Sequence, residues 1–206
     1  MAASFPLTLA PQVLFRPQSV FTRIAERRPG AAAVFFQYAL WLGLAPPVSA
    51  FFGTRMFGWL AGGEPLALPA ALAFQVSIAY YAALLAGFVF AGLFLRWMLP
   101  TYRDAGANSD AGACFALVAV AGTPLMAGGI AHLYPSLVLN ILVFTAAFLW
   151  SALLLYRGVP VAFAMDAERG MLLASSMIAA LLVMVAGFLG VIVVLWVNGF
   201  GPPLGI

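Results

Sequence analysis

Few side chains in this sequence could perform chemistry, and their types and spacing fit no recognised reaction. His132 is the only histidine and Cys114 the only cysteine among 206 residues. A catalytic triad needs a histidine beside a nucleophile and a carboxylate, and a zinc site needs several clustered protein ligands. The sequence therefore predicts a protein that is not an enzyme, with no catalytic residues, no bound cofactor and no metal site.

Two carboxylates do lie close together in the chain, at Asp166 and Glu168. Paired carboxylates can act as a general acid and a general base. These two, however, stand in a short segment between Arg157 and Arg169. We interpret the segment as a solvated loop that helps to orient the chain in a membrane.

Three uncharged polar residues, Gln37, Gln75 and Asn140, lie within long apolar segments. Residues of this kind commonly form hydrogen bonds between transmembrane helices. They could instead line a polar cavity for transport, shaped by helix kinks at the prolines of positions 46–47 and 124. Both interpretations remain open at the level of sequence.

The composition determines the class of protein. Hydrophobic residues make up 65% of the chain and charged residues 7%, and the mean hydropathy is +1.09. Soluble domains are about 25% charged, so nine arginines and six acidic residues cannot cover a soluble globule of 21.7 kDa. The arginines are scattered rather than clustered on one face, which argues against a nucleic-acid partner. We therefore predict an integral membrane protein whose first partner is the lipid bilayer.

Five uncharged segments are long enough to cross a bilayer, whose hydrocarbon core needs roughly 20 apolar residues per helix. These segments are 31–53, 68–95, 111–133, 136–156 and 171–197. The predicted fold is an all-α bundle of five transmembrane helices, preceded by a short cytoplasmic amphipathic helix. We divide the chain into an N-terminal cytoplasmic segment, 1–30, and a single transmembrane domain, 31–206.

The distribution of arginine predicts the orientation, because cytoplasmic loops of membrane proteins carry an excess of basic residues. With a cytoplasmic N-terminus, Arg55 alone falls outside the cell. The other arginines then lie on the cytoplasmic side: Arg16, Arg23, Arg27, Arg28, Arg96, Arg103, Arg157 and Arg169. We expect the N-terminus inside and the C-terminus outside.

The segment 16–28 has the pattern of an amphipathic helix that begins at Pro17. Its apolar face, which includes Phe21, is expected to lie on the cytoplasmic headgroup region, with Arg23, Arg27 and Arg28 near anionic lipid. The alternative interpretation is a helix that docks on a protein partner.

Small residues recur at intervals of four in two of the predicted spans. Ala83, Gly87 and Ala91 do so in the second span, and Ala186 and Gly190 in the fifth. Faces of small residues let helix backbones approach closely. The sequence does not decide whether they pack the bundle together or serve association with another molecule.

Three short motifs follow one another along the third and fourth spans: Gly122-Thr123-Pro124, Leu133-Tyr134-Pro135 and Tyr156-Arg157-Gly158-Val159-Pro160. With this order and spacing on five spans, the chain resembles the Yip (Ypt/Rab-interacting protein) family in its bacterial inner-membrane branch. The resemblance implies a multi-pass protein of the bacterial inner membrane with a cytoplasmic N-terminus and an outer C-terminus. It marks these motif residues as structural or functional positions.

The resemblance also bears on partners. Eukaryotic members of the family bind prenylated Rab-type GTPases, but this sequence lacks their long acidic, aromatic N-terminal region, which argues against GTPase binding. Two functions remain. The first is a non-enzymatic scaffold, assembly factor or accessory subunit that acts through helix packing, with a membrane-protein partner or by self-association. The alternative is a channel or carrier for lipids or small neutral solutes.

Overall fold

The computed structural model describes residues 4–58, 68–103, 110–195 and 197–198. Within these ranges the chain is helical and has no β-strand. Five helical segments are long and apolar enough to cross a membrane. The predicted all-α, five-span fold is therefore confirmed, whereas the division into domains and the orientation of the termini remain predictions.

The first span, Ala31–Met56, is segmented, and the other four are formed by long helices. Its parts are α3 (Ala31–Val34), a π-helical turn (Phe35–Ala39), α4 (Leu40–Leu42) and α5 (Ala45–Met56). Two short helices precede it: α1 (Ala10–Phe15) and α2 (Pro17–Arg27). The long helices are α6 (Ala70–Tyr102), α7 (Ala111–Gly128, continued by a 3-10 turn, Gly129–Leu133), α8 (Leu137–Phe163) and α9 (Ala167–Leu195).

Helices α6 and α8 run beyond the spans predicted from the sequence. The predicted segments end at 95 and 156, but the helices continue to Tyr102 and Phe163. Arg96 and Arg157 therefore lie inside helices rather than at their ends. A charged residue marks where the hydrocarbon core stops, but arginine is a good helix former and does not end the helix.

The prolines of the first span begin a helix instead of bending one. Pro46 and Pro47 stand in the first turn of α5, directly after the turn at Gly43 and Leu44. A proline there lacks an N–H that would have had no partner within the helix anyway. Pro124, by contrast, lies inside α7, which continues through it.

Helix α7 is the centre of the bundle. Its span is 67% buried within the protein, whereas the other four are 18–33% buried. Helix α8 lies antiparallel beside it, α6 and the first span pack on its other sides, and α1 and α2 pack at its N-terminal end. The first sequence motif, on α7, therefore lies in the interior.

The amphipathic helix forms as predicted, but its apolar face does not contact lipid. Val20, Phe21 and Ile24 of α2 are at most 1% exposed, because α2 packs on α8 and α7. The prediction that Phe21 contacts lipid or a partner is therefore wrong: this side chain belongs to the core. An apolar helix face gains similar free energy from lipid and from protein, so the pattern alone could not distinguish the two.

Candidate functional site

A buried pair of hydroxyl groups joins the first motif to the first span. Thr123 and Tyr38 are both 0% exposed, and their side-chain oxygens are 2.7 Å apart. The Thr123 hydroxyl donates to the carbonyl of Ala119 at 2.8 Å. Its single proton is used there, so the Tyr38 hydroxyl is the donor to Thr123 Oγ1. Tyr38 stands in the π-helical turn, a feature that often occurs at functional positions.

The same turn holds the beginning of the described chain against the bundle. The backbone N–H of Phe5 donates to Oε1 of Gln37 at 3.0 Å. The Phe5 ring packs edge-on against Tyr38, with ring centroids 5.2 Å apart. Phe5, Gln37, Tyr38 and Thr123 therefore form one connected unit, which we call the Tyr38 junction.

The three residues predicted to line a polar cavity do not come together. Gln37 belongs to the Tyr38 junction near the start of the first span, while Gln75 and Asn140 lie near the starts of α6 and α8. Because successive spans run in opposite directions, Gln37 lies in one half of the bundle and the other two lie in the opposite half. Gln75 is exposed, and the Asn140 amide donates to the carbonyl of Ser136 at 2.8 Å. The predicted shared cavity is therefore wrong.

His132 lies in a small polar cluster at the end of the third span. Its Nε2 is 3.2 Å from the hydroxyl of Tyr80, and its ring packs on Phe144 with a centroid distance of 5.1 Å. Within the described residues no group of three or more histidine, cysteine or carboxylate side chains could hold a metal ion. The cluster ties the 3-10 turn to α6 and α8.

The second motif forms the turn between α7 and α8. Leu133 and Tyr134 are 43% and 50% exposed, whereas Pro135 is buried. The Tyr134 ring packs edge-on against Phe57, with centroids 5.6 Å apart. This motif therefore presents two large side chains at the surface of the turn and holds them with a buried proline.

The third motif is where α2 and α9 meet α8. A side chain on Gly158 would place its Cβ 2.6 Å from the Phe21 ring and 2.7 Å from Leu117, so glycine is needed for α2 to pack this closely. Pro160 lies against Gly170 of α9 in the same way. The Tyr156 hydroxyl is 2.9 Å from Ser175 Oγ, also on α9.

The basic residues of α2 face away from the bundle. Arg23 is half-buried, and Arg27 and Arg28 are exposed. Arg28 ends the helix in the left-handed conformation, with φ of 41°. Lipid or partner contact by these three arginines remains a prediction.

An apolar cavity of about 100 Å³ lies between α7, α8 and α9. Gly122 of the first motif forms part of its wall, and Ser151 lines it from α8. Ser151 is 6% exposed, and its hydroxyl has no hydrogen-bond partner among the described residues. The other lining side chains are apolar, so the cavity offers room for a hydrocarbon group and not for a polar solute.

Comparison with known proteins identifies the family. The model of the Yip1 domain matches residues 12–189. The chain belongs to the Yip1 family. The inner membrane protein YohC of Escherichia coli strain K12 is 29% identical to it over 167 residues, which are 81% of this chain and 84% of YohC. YohC of Escherichia coli O6:H1 matches to the same extent. No solved structure matches the chain.

The Yip1 match confirms the resemblance inferred from the three motifs, all of which fall within the matched residues. The inner-membrane location predicted for the chain agrees with that of its relative YohC and with the five membrane-length helices. This Yip1-family protein thus carries its first motif at the Tyr38 junction and its third at the α2–α8 contact. A functional role for these motifs remains a prediction.

Sequence reasoning missed Tyr38, Phe5 and Ser151. Tyr38 carried a usable signal, because a tyrosine within an uncharged span normally finds a hydrogen-bond partner. Phe5 carried no such signal, since its contacts depend on how the N-terminal segment folds back. Ser151 is a small polar residue in an apolar segment, and the cavity beside it depends on how three consecutive helices pack together.

Proposed function

We propose that this Yip1-family protein is a non-enzymatic scaffold or accessory subunit that binds another membrane protein, or a second copy of itself, through the C-terminal half of α9. The proposal is supported by the unequal use of the two small-residue faces. One face is occupied by the bundle's own packing, and the other is open.

The small residues of α6 are occupied inside the bundle. Ala91 is 3% exposed and belongs to the core. A Cβ on Gly87 would lie 3.6 Å from Cε of Met184, a residue of α9. This face therefore brings α6 and α9 together and is not available to an outside partner.

The small residues of α9 face away from the protein, and this observation carries the proposal. Ala186 and Gly190 are exposed, and among the described residues no atom outside the adjoining residues and the backbone of α9 itself lies within 4 Å of the position of a Cβ on Gly187 or Gly190. Large apolar neighbours on the same half-helix, such as Val183 at 73% and Leu189 at 56%, are also exposed. A small-x-x-x-small pair on an open face lets a second helix approach closely, and helix association in membranes relies on such packing.

A channel or carrier, the alternative considered from the sequence, receives less support. It would need polar side chains along a common path, but Gln37 lies in the opposite half of the bundle from Gln75 and Asn140. The cavity between α7, α8 and α9 has an apolar lining. We therefore favour association through helix packing.

The test compares two matched substitutions, Gly190→Ile on the open face of α9 and Ala79→Ile on an exposed position of α6. Cell membranes are extracted directly into polymer-bounded native discs, and copy number and stoichiometric partners are measured by single-molecule photobleaching and quantitative mass spectrometry. We expect the wild type and Ala79→Ile to retain either a second copy or one partner at fixed stoichiometry. In Gly190→Ile, the fraction of protein that carries this copy or partner should fall at least fivefold. A monomeric wild type without a stoichiometric partner, or an unaffected Gly190→Ile variant, would contradict the proposal.

A further inference from the structure

The cavity between α7, α8 and α9 owes its existence to two small residues on facing helices. Gly122 contributes no side chain from α7, and Ser151 contributes a short one from α8. Among the described residues, and apart from the backbone of α7 itself, a Cβ on Gly122 would meet only Cε of Met126, at 3.9 Å. Unlike Gly158, then, Gly122 is not needed for a close helix contact. Its absent side chain leaves space.

Water is a poor occupant of this space. A buried water molecule makes two to four hydrogen bonds, and the only polar side chain of the lining is Ser151. Apolar cavities of comparable size stay dry and accept small hydrocarbon groups. The chemistry of the lining, which includes Phe148, Met177 and Leu181, therefore fits a hydrocarbon ligand.

The position of the cavity indicates which hydrocarbon group can reach it. Ser151 lies near the middle of α8, which runs from Leu137 to Phe163, so the cavity is in the hydrocarbon region of a bilayer. Phe148, Ile178 and Leu181 of its lining are only half-buried. The cavity thus reaches the surface of the bundle, where lipid chains are the surrounding solvent.

We propose that this cavity binds the terminal part of a phospholipid acyl chain, which enters from the surrounding bilayer and packs against Gly122, Met177 and Leu181. The site holds a single chain end, since its volume of about 100 Å³ is smaller than that of an apolar cavity of about 150 Å³ that binds benzene. It is separate from the open face of α9, so it does not depend on the proposed partner-binding function. In this proposal Gly122, the glycine of the first motif, leaves space for the acyl chain, whereas it is not needed for close packing of the helices.

The test uses a photoreactive lipid. The full-length protein is reconstituted in nanodiscs of bacterial phosphatidylethanolamine and phosphatidylglycerol that contain phosphatidylethanolamine with a diazirine at the end of one acyl chain. After illumination, labelled residues are located by peptide mass spectrometry. We expect the label on Met177 and Leu181 to exceed, by at least threefold, the label on Leu149, a residue of α8 that is 62% exposed at the surface of the bundle.

Two matched variants separate the cavity from general lipid contact. Gly122→Val fills the cavity and should lower the label on Met177 at least fivefold, whereas Ala86→Val, at an exposed position of α6, should leave it unchanged. Ser151→Leu fills the cavity from the opposite wall and serves if Gly122→Val does not give a monodisperse protein. Equal labelling of Met177 in the filled variants and the wild type would overturn the proposal, as would labelling of Met177 no stronger than that of Leu149.

Discussion

The hydrogen bond of the Tyr38 junction can be tested by a double-mutant cycle of Tyr38→Phe and Thr123→Val. Both residues are 0% exposed and their oxygens are 2.7 Å apart. Tyr38→Phe removes the donor and leaves Thr123 bonded to the carbonyl of Ala119. Hydrogen bonds between transmembrane side chains contribute about 0.6 kcal/mol on average and at most about 1.7 kcal/mol. A buried bond this short should lie in the upper half of that range, so we expect Tyr38→Phe to lower the free energy of unfolding by about 1–1.5 kcal/mol.

Thr123→Val should lower the free energy of unfolding more than Tyr38→Phe does, although valine matches threonine in shape. It leaves the Tyr38 hydroxyl buried with no partner, and an unsatisfied buried polar group costs about 1–3 kcal/mol. The double variant buries no unpaired hydroxyl. It should therefore be no less stable than Thr123→Val alone, and the coupling energy should be about 1 kcal/mol.

The assay is reversible unfolding in mixed micelles of increasing sodium dodecyl sulfate content, followed by far-ultraviolet circular dichroism. Tyr156→Phe is the control, because its hydroxyl bonds Ser175 at a site that is 37% exposed. Water can replace that bond, so we expect a loss below about 0.5 kcal/mol. The reasoning is refuted if the Tyr38–Thr123 coupling falls below about 0.3 kcal/mol, or if Thr123→Val is less damaging than Tyr38→Phe.

Further predictions concern α2, the cavity wall and the orientation. Phe21→Ala should destabilise the protein by about 3–5 kcal/mol because it opens a cavity at a fully buried site, whereas Arg27→Ala, at an exposed site, should change it by less than about 0.5 kcal/mol; the same unfolding assay measures both. Gly158→Val should detach α2 from α8 and raise amide hydrogen exchange in α2, since its Cβ would meet Phe21. Ser151→Ala should change stability by less than about 0.5 kcal/mol, because no described partner is lost. Terminal cysteines probed with a membrane-impermeant maleimide should react from outside the cell only at the C-terminus.

The number and class of the helices could be predicted because they follow from solvation. A charged side chain is costly in hydrocarbon, so the uncharged segments reveal where the chain crosses the membrane. The ends of the helices were less well predicted. Arg96 and Arg157 marked the edge of the apolar segments, but α6 and α8 continue to Tyr102 and Phe163. An α-helix can extend beyond the hydrocarbon core, because its backbone hydrogen bonds do not depend on an apolar surrounding.

The candidate sites were predicted much less well than the spans. The motif residues Thr123 and Gly158 were singled out from the sequence, but their contacts could not be predicted from it, since Thr123 pairs with Tyr38 at a distance of 85 residues in the chain. Gln37, Gln75 and Asn140 were grouped because each is a polar residue in an apolar segment. The alternating direction of the spans places Gln37 in the opposite half of the bundle from the other two.

The sequence by itself determined that this chain is a five-span membrane protein, because hydropathy and the spacing of charges are properties of local segments, and its three motifs carried the resemblance to the family. The tertiary structure decided which surface each apolar face contacts. It buried Phe21 of α2 against Gly158, occupied Gly87 of α6 with Met184 and left Gly190 of α9 open. Lipid and protein interior are equally apolar to a helix, so only the shapes of neighbouring side chains distinguish a core contact from a free face.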